Sequence, residues 1–114
     1  MTTNPAGRTS ARPGGRPAAE LADAVAAAVR AVPGVAGLHT GVFGEVATYL
    51  PGRRVEGVRI GPGGCAVHVV LIWGAPVLAT ADLVRAAVTP LVGARVDVTV
   101  EDVVPAATGM GAGT

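Results

Sequence analysis

Cys65-Ala66-Val67-His68-Val69-Val70-Leu71-Ile72-Trp73 is the most strand-like stretch of the chain. Val67, Val69, Val70, Leu71 and Ile72 crowd it on both faces, a pattern that belongs to a central strand. Helices are expected over one face, and a partner or long side chains over the other. A Gly61-Pro62-Gly63-Gly64 turn precedes the stretch and a Gly74-Ala75-Pro76 break follows it. Cys65 to Ala81 carries no formal charge, but Gly74 and Pro76 divide it. It falls short of the ~20 mostly apolar residues that a spanning helix needs. Strand, turn, then helix is the reading, with no transmembrane span.

On the C-terminal side, Val77 to Val92 has helical spacing. Leu83, Val84, Ala87, Val88 and Leu91 are expected on its apolar face, with Thr80, Asp82, Arg85 and Thr89 toward water. Gly93 ends it. Ala94 to Val103 then alternates, with Val96, Val98 and Val100 on one face and Asp97, Thr99 and Glu101 on the other. Such alternation marks a half-buried strand.

On the N-terminal side, Val55 to Ile60 reads as a strand entered through a Pro51-Gly52 type II turn. Glu45 to Leu50 is either a short strand or part of a loop, and Val35 to Val42 is a strand diluted by Gly37 and Gly41. Pro17 to Ala31 is a helix. Pro17 suits its first turn, Glu20 and Asp23 lie toward the positive end of its dipole, and Arg30 lies at the negative end. Leu21, Val25, Ala28, Val29 and Val32 make its apolar stripe, and Pro33-Gly34 stops it. The order is α-β-β-β-α-β. The simplest α/β (α+β) architecture that buries both stripes is a small two-layer sandwich, with two helices on one face of a mostly antiparallel sheet.

The 114 residues, 50% hydrophobic, suffice for one domain. Residues 17–104 are expected to form it. Residues 1–16 read as a disordered Arg/Gly/Pro-rich arm and residues 105–114 as a flexible Gly-rich tail, since neither has enough apolar surface to offset its ordering entropy. All nine basic residues are arginine. Without lysine there is no Walker-A phosphate loop and no Schiff-base lysine. The Ala, Val, Gly, Arg and Pro bias points to high-GC bacterial coding. The arginines of the N-terminal arm precede no apolar run of the signal-peptide kind, so a cytoplasmic protein is expected.

The single cysteine excludes an internal disulfide and a thiolate zinc knuckle, and His39 and His68 build no metal-ligand motif. Cys65 and His68, three apart on a strand, point to opposite faces, so Cys65 is read as a small apolar residue at the strand's start. His68 is either a pH-responsive or ligating group or, the favoured reading, a residue of the exposed face with its nitrogens in water or hydrogen-bonded. Glu101 and Asp102, neighbours on a strand, are expected to point to opposite faces and are read as solvated charge. No catalytic constellation, cofactor site or metal site emerges, and a non-enzymatic protein is expected.

The one local basic feature of the body is Arg53-Arg54 after the turn, joined by Arg59 on the next strand. These three are candidate partner-binding residues for phosphate or an acidic protein surface. The net charge of +1 divides unevenly: Arg8, Arg12 and Arg16 occupy the arm, leaving six arginines against eight acids, or −2, in the rest. With Phe43, Tyr49 and Trp73 the only aromatics and no RRM or KH motif, no specific nucleic acid is expected. The alternative function is an anion or nucleic-acid binder using the arm and the Arg53/Arg54 turn.

Taken together, the ordered segments resemble the alkaline shock protein 23 family of envelope stress response proteins. The resemblance rests on Val32-Pro33-Gly34-Val35 after the first helix and on Tyr49-Leu50-Pro51-Gly52-Arg53-Arg54-Val55-Glu56-Gly57-Val58-Arg59-Ile60. Val67-His68-Val69-Val70, the Gly74-x-Pro76 turn, Val84-Arg85 and Val96-Asp97-Val98-Thr99-Val100-Glu101-Asp102-Val103 extend it over roughly residues 18–103. The resemblance implies a small α/β domain with no catalytic centre, tied to cell-envelope and general stress responses. It also implies protein partners and self-association, since some members are cytoplasmic proteins that self-assemble and are held at the inner face of the membrane by a separate anchor protein.

Overall fold

A computed structural model describes residues 17–106, so the arm and nearly all of the tail expected at the two ends lie outside the described residues. The elements are α1 (Ala18–Arg30), β1 (Val35–Leu38), β2 (Ala47–Leu50), β3 (Arg53–Glu56), β4 (Val58–Gly61), β5 (Gly64–Ile72), α2 (Val77–Val92) and β6 (Arg95–Val104). The central role read for Cys65–Trp73 belongs to β5. Its first half pairs antiparallel with β4, Val58 opposite Val67 and Ile60 opposite Cys65. Its second half pairs antiparallel with β1, Val35 opposite Leu71 and Leu38 opposite Val69. Its other edge runs parallel to β6 throughout, from Gly64 beside Arg95 to Ile72 beside Val104. That parallel pair needs a crossover, and α2 supplies it.

Two short strands therefore share one edge of β5. Backbone bonds across the gap between them hold the edge together: His39 N–H donates to His68 O and His68 N–H donates to Gly57 O, both at 2.9 Å. Three of the four strand pairings are antiparallel, as expected. The additional strand of the N-terminal half is β2, which settles the open reading of Glu45–Leu50. It forms a hairpin with β3, Ala47 opposite Glu56 and Leu50 opposite Arg53, closed by Pro51-Gly52 with Gly52 at φ 77°. The single strand expected over Val55–Ile60 is cut in two by Gly57, at φ 79°.

The core lies between the sheet and both helices. Cys65, Val67, Val69 and Leu71 of β5 are buried there with Val58 and Val96, against Leu21, Val25 and Val29 of α1 and Val84, Val88 and Val92 of α2. The alternate residues of β5, Ala66, His68, Val70 and Ile72, are half-buried on the other face. On α2 the inward row differs from the expected one. Thr80 faces in at 2% exposure and Leu83 faces out at 51%. The reason is close approach at the start of α2: a Cβ built on Gly34 would lie 3.1 Å from Ala75 Cβ and 3.3 Å from Thr80. Only a small side chain fits against Gly34, so the buried row runs 80, 84, 88, 92 at four-residue steps. Among the described residues no helix is long and apolar enough to cross a membrane.

Candidate functional site

The turn at Pro51-Gly52 places Arg53 and Arg54 on adjacent positions of β3, pointing different ways. Arg53 reaches α1, where its two terminal nitrogens grip both carboxylate oxygens of Asp23 at 3.1 and 2.8 Å. This hydrogen bond and the guanidinium charge hold the Asp23 carboxyl below the usual carboxylate range. Arg54 makes a two-nitrogen contact with Glu56, at 3.2 and 2.9 Å. Glu56 and the Tyr49 hydroxyl, on the residue opposite in the hairpin, stabilise the Arg54 charge further. Both pairs are well exposed, so they orient the side chains more than they stabilise the fold.

Between α1 and β3 these side chains line an open cleft of about 350 Å³, together with Arg30. Three guanidiniums face two carboxylates there. Arg59 does not join them. It donates to the backbone carbonyl of Glu45 and lines a separate cleft of about 230 Å³ with Asp97 and the Gly61–Ala66 turn. The structure thus brings together two of the three candidate arginines and adds Arg30 and Asp23. Local sequence assigned those two to the helix dipole, and nothing local could have paired Asp23 with a residue thirty positions away.

The other candidate groups have structural partners. His68 lies on the helix-free face with Nδ1 at 2.5 Å from Glu101 Oε2, hydrogen-bonded as one of its readings allowed, but the pair is largely buried and not on an exposed face. Glu101 reaches it from a bulge: Val69 is beside Val100 but Val70 is beside Asp102, leaving Glu101 as the extra residue. The strict alternation expected for Glu101 and Asp102 therefore does not hold, and Asp102 accepts from the Val103 N–H at 2.7 Å instead. Cys65 is buried at 3% exposure, and desolvation pushes its thiol up to about 11. Such a thiol is a poor nucleophile at neutral pH. Among the described residues no three His, Cys, Asp or Glu side chains gather as a metal site would require.

Several large apolar side chains also stand on the surface. Phe43 is 90% exposed, Leu78 81% and Trp73 77%, with Val42 also exposed beside Phe43. The Phe43 tip is built and not loose. Gly41 N–H donates to His39 Nδ1 at 2.9 Å, Phe43 N–H to Glu45 Oε1 at 3.1 Å, and Val46 N–H to Thr40 O at 2.8 Å. Trp73 and Leu78 flank the turn between β5 and α2, where Trp73 N–H donates to Val104 O. Sequence reading recognised the aromatics only as too few for nucleic acid, because exposure of a lone aromatic has no local signature.

No known protein family, curated protein or solved structure matches this chain.

Proposed function

We propose that the protein is a non-enzymatic interaction module of the cell-envelope or general stress type, acting in the cytoplasm and recruited to the membrane through a protein partner. The observation that carries this reading is the set of exposed large apolar side chains, Phe43, Trp73 and Leu78, on a domain that closes its core without them. Large aromatics in water are costly to a monomer and are favoured anchors at protein interfaces. The family resemblance of residues 18–103 supplies the stress context and the anchor partner.

The test is photo-crosslinking in the protein's own cells, with a crosslinker at Phe43, Leu78 or Trp73, coupled to membrane flotation of nuclease-treated lysate. Discrete protein adducts, and flotation that survives nuclease, support the reading. Adduct-free protein that stays at the bottom of the gradient overturns it. The second reading, anion binding, draws on the Arg30–Arg53–Arg54 cleft. It requires binding of phosphate or nucleic acid that weakens steeply with salt and with Arg30→Ala or Arg54→Ala.

A further inference from the structure

β6 is bound to β5 along one edge, and among the described residues its other edge pairs with no strand. The strand is ten residues long, rich in valine, and contains neither lysine nor proline. Lysine and proline commonly blunt an exposed edge, as do other charges and bulges. Here the charges of Arg95, Asp97, Glu101 and Asp102 and the bulge at Glu101 leave only Val98 to Val100 without either. Its two ends are closed by side chains of the chain itself. Arg85 Nε reaches Val96 O at a long 3.4 Å, and the Asp102 carboxylate occupies the Val103 N–H at 2.7 Å. A carbonyl within reach of α2's arginine points away from β5, and strand alternation turns the backbone groups of Val98 and Val100 the same way. The bulge at Glu101 ends this regular run. A short open window remains, the Val96 N–H and the backbone groups of Val98 and Val100, between two closed ends.

We propose that this window pairs antiparallel with the same window of a second copy of the chain, about a two-fold axis through Val98. The proposal goes beyond the interaction reading above, since its surface is the β6 edge and not the exposed Phe43, Trp73 and Leu78. Self-complementarity selects a second copy as occupant. In this register Val96 faces the copy's Val100, and Asp97, which pairs with Arg95 of its own strand at 3.0 Å, faces the copy's Thr99. A parallel pairing in register would set Arg95 beside Arg95 and Asp97 beside Asp97, which is repulsive. An isologous contact of this kind closes on itself and joins the two sheets into one. Because the closed ends confine the ladder to a few residues, the contact is short and the dimer reversible.

Sedimentation equilibrium of the full chain over micromolar to millimolar concentrations tests it. A monomer–dimer equilibrium is expected. Thr99→Glu, on an exposed position, sets two like-charge pairs with Asp97 across the interface and weakens dimerisation about tenfold. Adding Asp97→Lys to that variant restores it. A chain with Asp97→Cys mixed with one carrying Thr99→Cys forms the mixed disulfide faster than either chain crosslinks alone. Buried Cys65 does not compete. A monomer at every concentration overturns the proposal, as does a dimer indifferent to Thr99→Glu with no preference for the mixed disulfide. Either result, obtained while Phe43 or Leu78 still captures a protein in cells, removes the second copy and leaves the interaction reading standing.

Discussion

Gly57 is where the chain leaves the β2–β3 hairpin and enters the main sheet, and its role follows from the lack of a Cβ. At φ 79° an added Cβ would stand 2.6 Å from Leu38 Cβ and 3.0 Å from His39 N. Its N–H and C=O are both committed, to Val46 O and from His68 N, so the backbone has no freedom to move aside. Gly57→Ala is expected to cost about 3 kcal/mol, from left-handed strain and the clash together, read as a lower urea midpoint with an unchanged m value. Thr80 is the opposite case, a polar residue in an apolar setting. Among the described residues its hydroxyl makes no hydrogen bond while its side chain is buried against Gly34. Thr80→Val keeps the shape and removes the desolvated hydroxyl, so stability is expected to rise by about 1 kcal/mol. A loss of similar size in the same urea titration would show that the hydroxyl has a partner.

At the level of elements, α2 begins and ends where the sequence says: Val77 and Val92 are its bounds, and Gly93 caps it at φ 68°, ψ 21° with its N–H on Thr89 O at 2.8 Å. That left-handed cap is a local requirement, and Gly93→Ala is expected to lower stability by about 1 kcal/mol, seen as a lower thermal midpoint by circular dichroism. Which side of α2 turns inward was not legible. Leu83 and Thr80 exchange the places that hydrophobicity alone assigns, because the close contact at Gly34 belongs to a different element. The same limit applies to the hairpin. Pro51-Gly52 announced a turn, yet the strand before it was uncertain, since Val46 and Ala47 are its only buried residues and its alternation is weak. Pairing with β3 makes it a strand. Of the candidate arginines, the sequence placed Arg53 and Arg54 correctly beside the turn, but their ion pairs with Asp23 and Glu56 depend on geometry that no spacing rule reports.

For the molecule as a whole, burial of one thiol makes stability depend on alkaline pH. Desolvation raises Cys65 from 9.0 to about 11. The unfolded chain therefore loses this proton first, binds fewer protons than the folded one between those values, and gains stability as pH rises. Folded stability is present in full below about pH 9 and falls through pH 11. Urea titrations at several alkaline pH values should show this slope, and Cys65→Ala should flatten it relative to the parent chain. By itself the sequence determined the two helices, the central position of residues 65–73 and the two-layer class, because hydrophobic period and turn residues act over a few positions; the count of strands between the helices, five and not three, it did not determine. The tertiary structure alone decided that β6 runs parallel to β5, that His68 meets Glu101, that Arg53 clasps α1, and which apolar side chains stay in water. Each of these depends on the distance between residues far apart in the chain, and that distance is set only when the two layers pack.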